Sequence, residues 1–253
     1  MSNIKIDAVV LAGGHVKSNR SDKLPKSSIK IGNQTALELV TSCLNGCPVV
    51  GDVIITSFPK EAAPLKGFTF IEDKGDLVEN ISLAIEKTTS DKVLLVAVDI
   101  PLITPGVIEE YVRLCLLKDA EADFYYPLIP KESMKDLIEM ERTYFKVDGR
   151  LFTGGNVMLL SRDLFNNHRE LAQQIYENRK SPLKLVELFG PKFLLKFALG
   201  KLRLSDAEAK LSQVLGAKAV AVELPLPEIG SDIDKQSDLD FINDYLEKSK
   251  ANN

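Results

Sequence analysis

The sequence predicts an α/β protein with a doubly wound, mostly parallel sheet and a helical insertion. Three observations carry that reading. Strand-like apolar runs alternate with helix-like segments through the first half of the chain, the pattern of successive βαβ units. Lys92–Val98 is apolar on both faces, as a central parallel strand is when helices cover both sides of its sheet. The first strand, Ile6–Leu11, runs straight into Ala12-Gly13-Gly14 and so leaves bare backbone at its carboxyl edge.

The elements follow in order. Thr35–Leu44 has helical spacing, with Leu37, Val40, Cys43 and Leu44 on one side. Asp52–Thr56 and Phe68–Ile71 are short strands, and Leu77–Lys87 is an amphipathic helix with Leu77, Ile81, Ala84 and Ile85 inward. Thr104 caps a helix that has Pro105 at its first position and reaches about Lys118. Asp123–Ile129 is a strand, and Thr143–Val147 and Asn156–Leu160 are strands around turns at Gly149 and Gly154-Gly155. From Ser161 to Gly216 the pattern is almost wholly helical, broken at Pro182, Gly190-Pro191 and Gly200. Ala219–Leu224 returns as a strand, Ser237–Lys248 is a closing helix, and Ser249–Asn253 frays. No repeat, linker or low-complexity segment divides the chain. Residues 1–253 therefore read as one domain with a helical insertion at about 162–216.

Composition excludes several classes. A chain of 253 residues buries roughly 70–75% of its unfolded surface and folds without disulfides or a structural metal. A net charge of −4 argues against general nucleic-acid binding. Cys43, Cys47 and Cys115 form no C-x-x-C, and their odd number suits a reducing cytoplasm. Met1–Asp7 carries no apolar secretory segment, and no apolar run approaches the ~20 residues of a membrane helix.

The chemistry-bearing residues gather near strand ends. The turn Leu11-Ala12-Gly13-Gly14 admits a flat base or a phosphate close to the main chain, and Lys17, Lys23 and Lys26 downstream supply positive charge. The stretch is neither a Walker loop nor G-x-G-x-x-G. Asp99 ends the strongest strand, where one carboxylate can hold Mg²⁺ on a nucleotide; the plainer reading is an Asp that turns the chain. Asp232 and Asp234 point to one side if their segment is extended, and one of them can complete a site with Asp99. Helix capping by Asp234 or Ser237 is the alternative. Gly154-Gly155-Asn156 suits close approach of a hydroxyl-bearing ligand, or is simply a bulged turn. Asn80 and Ser82 stand near the start of a helix as base or ribose contacts, or as ordinary N-terminal capping residues. His15 lies in the glycine turn region within reach of a phosphate but has no partner at metal-ligand spacing, and His168 lies in a polar helix as a solvated residue. Lys192, Lys196, Lys201 and Arg203 form a snorkelling face, an oligomer contact or a wall of the acceptor site.

Together these segments resemble the nucleotidyltransferase superfamily of the molybdenum-cofactor guanylyl- and cytidylyltransferase (MobA-like) type, over nearly the whole chain and in the right order. The resemblance implies a Rossmann-like fold of the nucleotide-diphospho-sugar transferase type. It assigns the nucleotide to Leu11, Ala12, Gly13, Gly14 and Lys26, with Lys23 in reserve, beside the Asn80 and Ser82 contacts read above, and the acceptor to Gly155 and Asn156. It makes Lys26, Asp99 and Asp234 catalytic, with Asp99 and Asp234 as Mg²⁺ ligands and Asp232 in reserve. Two departures stand out: Val16 occupies a usual glycine position and Ser18 a usual arginine position of the sugar-phosphate members.

The implied reaction is Mg²⁺-dependent transfer of a nucleoside monophosphate from a nucleoside triphosphate to a phosphorylated acceptor, with a molybdopterin-like phosphate or a sugar phosphate among the acceptors. A phosphate monoester is already mostly dianionic at neutral pH, with a second pKa of ~6, so no general base is required. The partners implied are a triphosphate and a small acceptor, with no nucleic acid and no membrane span. GTP, CTP and the oligomeric state stay open. Two rival readings remain: a glycosyltransferase that uses Asp232-x-Asp234 as its D-x-D motif, and a non-catalytic nucleotide-binding protein.

Overall fold

The structure, a computed structural model, describes residues 5–16, 24–58, 65–137, 140–178 and 189–251. The strands are β1 (Ile6–Leu11), β2 (Lys30–Ile31), β3 (Gln34–Thr35), β4 (Val50–Phe58), β5 (Thr69–Glu72), β6 (Lys92–Ala97), β7 (Phe124–Pro130), β8 (Phe145–Val147), β9 (Arg150–Gly154), β10 (Val157–Ser161) and β11 (Ala219–Glu223). The helices are α1 (Ala36–Asn45), α2 (Leu77–Ile85), α3 (Pro105–Lys118), α4 (Arg162–Asn167), α5 (Arg169–Asn178), α6 (Pro191–Ala198), α7 (Leu204–Leu215) and α8 (Gln236–Ala251). Among the described residues no helix is long and apolar enough to cross a membrane.

The main sheet runs β5-β4-β1-β6-β10-β7-β9-β8, with β11 on the other side of β7. β1 lies between β4 and β6 and is parallel to both, and β11 is parallel to β7. Alternation along β1 explains the double winding. Ile6, Ala8 and Val10 pack with α1 and α3 through Leu37, Val40, Ile108 and Tyr111, whereas Val9 packs with α2 through Ile81 and Ile85. β6 is apolar on both faces for the same reason: Leu94 and Val96 meet the first cluster, Val93 and Leu95 the second. Sequence-coded caps set the helix starts. Thr35 and Glu38 form a capping box on α1, and Asp76 and Thr104 cap α2 and α3.

The inserted strand β10 departs from parallel order. It runs antiparallel between β6 and β7. β9 is also antiparallel to β7, so the chain does not reverse at Gly154-Gly155, as a turn would require. It bulges and continues in the same direction along β7. The bulge matters for the site because it lays Asn156 against the end of β6: Ala97 N–H donates to Asn156 O at 3.0 Å, and Asn156 N–H donates to Ile229 O at 2.9 Å. The segment from α4 to α7 is helical where described, as the sequence predicts; Pro182 lies outside the described residues.

Two buried polar groups tie this frame together. The fully buried Tyr111 hydroxyl on α3 accepts the Leu159 N–H at 3.0 Å. Tyr111→Phe leaves that amide without its acceptor and is expected to cost about 1–3 kcal/mol, read by urea unfolding, with faster hydrogen exchange at Leu159. Asp7 at the start of β1 accepts from the amides of Asp52 at 2.9 Å, Thr89 at 2.6 Å and Ser90 at 3.1 Å. Burial alone would raise the Asp7 carboxyl, but these amides and the Thr89 hydroxyl hold it below its ordinary value of 3.8. The ionised form is therefore favoured by folding. Its contribution is complete above the ordinary value and is lost as pH falls through the lower folded value. Asp7→Asn sets an NH₂ group against amide donors and is expected to cost about 2–3 kcal/mol at pH 7. The gap between variant and wild type in denaturant titrations should narrow below pH 4.

Candidate active site

The glycine turn is held by its neighbours. Ala12 N–H donates to Thr56 O at 3.0 Å, and a Cβ on Gly13 would stand 3.0 Å from Ser57 Cβ. Ser57 itself has φ +58° at the end of β4, so it has little room to yield. Gly14 has φ +89°, a conformation that side chains other than glycine's rarely allow. The chain then returns: Val16 N–H donates to Leu24 O at 3.1 Å, and Lys26 N–H to Gly14 O at 3.0 Å. Val16, at a position where the related pattern has glycine, is buried in the core. Lys17, Ser18, Arg20 and Lys23 lie outside the described residues.

That return aims Lys26 at two carboxylates. Its Nζ stands 2.5 Å from Asp99 Oδ2 and 2.7 Å from Asp234 Oδ1. Asp99 sits just past β6 and is 7% exposed. Its Oδ1 is buried and has no hydrogen-bond partner among the described residues. The main chain joins two distant stretches of the sequence here, because Ile233 N–H donates to Asp99 O at 2.9 Å. Ile233 is fully buried, and Asp232 and Asp234 flank it on the opposite side, as an extended segment requires. One carboxylate oxygen from each of Asp99, Asp232 and Asp234 lies within 4.8 Å of the others. At the start of α8, Asp238 Oδ2 accepts from the Asp234 and Lys235 amides at 3.0 Å each.

The electrostatics reflect this crowding. Burial works to lower the Lys26 ammonium, but Asp99 and Asp234 outweigh it and raise its pKa. Burial raises Asp232; the Arg142 guanidinium opposes that, and the charges of Asp99 and Asp234 add to it.

The other expected residues divide. Of the strand-end residues Leu11, Ala12, Gly13 and Gly14, Gly14 lies beside Lys26, where a Cβ would stand 3.7 Å from Lys26 Cδ, and Ala12 is fully buried. Asn156 reaches the cluster, with its Nδ2 3.2 Å from Asp232 Oδ1. Gly155 has a packing reason to be glycine, since a Cβ would stand 2.6 Å from Ile229 Cγ2 and 3.2 Å from Pro127. The expectation for Asn80 and Ser82 is corrected. Both are buried on the inner face of α2. The Asn80 amide donates to Ser57 Oγ at 3.0 Å and Asp73 Oδ1 at 2.7 Å and accepts from Lys74 N at 2.9 Å, so it props the loops from within. Ser82 reaches no surface. Sequence reasoning missed Arg142, whose Nη2 donates to Asp232 O at 2.7 Å. An isolated Arg between Glu141 and Thr143 carries no local pattern that would single it out.

The sequence matches the MobA-like NTP transferase domain over residues 8–185. The chain belongs to this family. It is accordingly a nucleotidyltransferase, and Asp232 and Asp234 lie beyond the matched span. No curated protein matches the sequence. Among solved structures, a hypothetical transferase from Thermus thermophilus is 32% identical, with TM-score 0.79, over 93% of this chain and all of that one. CMP:2-keto-3-deoxy-manno-octonic acid synthetase complexed with CTP is 14% identical, with TM-score 0.61, over 97% of this chain and all of its own. 2-C-methyl-D-erythritol 4-phosphate cytidylyltransferase, also from Thermus thermophilus, is 17% identical, with TM-score 0.55, over 94% and 98%. At these identities the last two share the fold alone, a mostly parallel sheet with flanking helices.

Proposed function

We propose that this MobA-like protein transfers a nucleoside monophosphate from a nucleoside triphosphate to a phosphorylated small molecule and releases pyrophosphate, with Mg²⁺ held by Asp99 and Asp234. One observation carries the reading: the Lys26 ammonium is suspended between two carboxylates at the carboxyl edge of the sheet, beside the glycine turn. The donor set fits Mg²⁺, which favours hard carboxylate oxygens and completes its shell with phosphate and water. The buried Oδ1 of Asp99, without a hydrogen-bond partner among the described residues, fits it too. When bound, the ion would shield the triphosphate's charge and stabilise the departing pyrophosphate.

The chain's own residues supply the rest. The Gly13-Gly14 backbone admits the nucleotide to the strand end. Lys26 turns from its carboxylates toward the polyphosphate and neutralises charge as it develops. The acceptor's phosphate oxygen forms the new bond to the α-phosphorus, and the bond to the bridging oxygen breaks. The site's side chains are Lys26, Arg142, Asn156 and three carboxylates, with no Ser-His-Asp arrangement among the described residues. That favours an acceptor whose nucleophile is already an anion, as a phosphate monoester is near pH 7 (second pKa ~6). Asn156 stands on the acceptor side.

The test is pyrophosphate release with each of the four triphosphates across phosphorylated acceptors, with and without Mg²⁺. CTP comes first, because one neighbouring structure contains CTP and another is a cytidylyltransferase. GTP comes next. Release that needs one triphosphate, one acceptor and the metal is the expected result. Binding without turnover would favour the non-catalytic reading, and turnover of a nucleoside diphosphate sugar the glycosyltransferase.

A further inference from the structure

Three carboxylates lie within 4.8 Å, yet a single divalent ion balances only two of them. The structure treats the three unequally. Asp99 and Asp234 share Lys26. Asp232 is held from the other side. Arg142 Nη2 donates to its carbonyl at 2.7 Å and stands 3.6 Å from its Oδ1, which also accepts from Asn156. The Arg142 side chain is only 7% exposed, unusual for a loop arginine. Its Nη1 donates to Glu141 O at 3.0 Å. The adjoining Glu141 makes a second tie to the same segment through Lys235 at 2.5 Å. Arg142 follows a turn anchored in the core by Met134, Leu137 and Met140, so the clamp has a fixed base.

We propose that Arg142 is a positioning residue that neutralises and immobilises Asp232, so that Asp99 and Asp234 alone serve the cation. The inference rests on the cation reading above. Its charge balance is simple. With Lys26 turned to the triphosphate, Asp99 and Asp234 carry two negative charges for one divalent ion, while Asp232 and Arg142 remain a neutral pair. Without the guanidinium, Asp232 is an uncompensated, half-buried charge beside the site and its segment loses its anchor. Asp232 is then a counter-charge rather than a ligand.

The test is Mn²⁺ binding to the full chain, followed by electron paramagnetic resonance of the free ion. The variants are Arg142→Gln, Arg142→Lys, Asp232→Asn and the double Arg142→Gln/Asp232→Asn, each checked for folding by circular dichroism. Arg142→Gln should tighten Mn²⁺ binding without nucleotide about five-fold, because Asp232 is left as an uncompensated third carboxylate, and should lower kcat more than it changes KM for the triphosphate. Arg142→Lys should fall between Arg142→Gln and wild type. Asp232→Asn should weaken Mn²⁺ binding about five-fold, less than Asp99→Asn does, because Arg142 is left an unpaired cation beside the site, and the double variant should return to within about two-fold of wild type, because the pair is then neutral again. A purely packing role for Arg142 predicts no such return. If Asp232→Asn loses Mn²⁺ as fully as Asp99→Asn, or the double variant binds Mn²⁺ no differently from Arg142→Gln, the assignment is overturned while the cation site stands. If wild type and Lys26→Gln both ignore Mn²⁺, the cation reading falls and this partition falls with it.

Discussion

Asp99→Asn is expected to lower pyrophosphate release by about 10³-fold or more and to leave the folded protein about as stable as wild type. The first effect follows from position. Asp99 sits just past the central strand β6, next to the glycine turn, and its buried Oδ1 has no partner among the described residues. An amide there keeps the shape and removes the charge that holds Lys26 and is proposed to hold the divalent ion, and electrostatic groups of this kind are worth about 10²–10³ singly. Coupling two such interactions to one carboxylate sets the higher figure. The second effect follows from the neighbours. Asp232 and Asp234 stand within 4.8 Å, so neutralising Asp99 relieves like-charge repulsion and the cost of a buried anion. It also weakens the 2.5 Å contact to Lys26. These opposed terms should leave the variant within about 1 kcal/mol of wild type. The measurement pairs steady-state turnover with thermal unfolding. A variant that keeps a tenth of the activity would remove Asp99 from the chemistry, and one that loses activity by unfolding would show only a structural role.

The parts of this molecule legible in the sequence are those written in short stretches. Ile6–Leu11 followed by two glycines, and Lys92–Val98 followed by Asp99, each join a buried strand to its functional tip within a few residues. Both stand where the pattern places them. Thr104 with Pro105 announces α3 in the same way. What escaped depends on partners far along the chain. Nothing local says that β10 runs antiparallel, because its direction is set by β6 and β7 on either side. Nothing near Arg142 points to Asp232, ninety residues away. Asp7 looks like an ordinary polar residue at a strand's start until Asp52, Thr89 and Ser90 converge on it. Asn80 misled for a related reason. Its place near a helix start suggested a ligand contact, but helical periodicity turns it inward, and the left-handed Ser57 that it supports has no sequence signature.

Lys26→Gln should separate two quantities that normally move together. Turnover is expected to fall about 10²–10³-fold, because the polyphosphate loses a positioned positive charge. Binding of Mn²⁺ without nucleotide is expected to tighten about ten-fold. The opposite signs follow from geometry. Lys26 Nζ lies 2.5 Å and 2.7 Å from the oxygens of Asp99 and Asp234, the two carboxylates proposed for the cation. An ammonium there and a divalent ion compete for the same negative charge, so an ion that enters the wild-type site must first break two charge-assisted hydrogen bonds. Asp234 is half exposed, and water discounts its share. The remaining advantage, about 1.4 kcal/mol, corresponds to the ten-fold change. A glutamine offers weaker, uncharged contacts and yields the site more readily. With nucleotide present the advantage should shrink, because the triphosphate itself draws Lys26 away from the carboxylates. A titration of Mn²⁺ against both proteins, with and without CTP or GTP, reads the sign directly. Weaker Mn²⁺ binding in Lys26→Gln would mean that the lysine builds the carboxylate pair rather than guarding it, and the exchange of Lys26 for a metal would have to be abandoned.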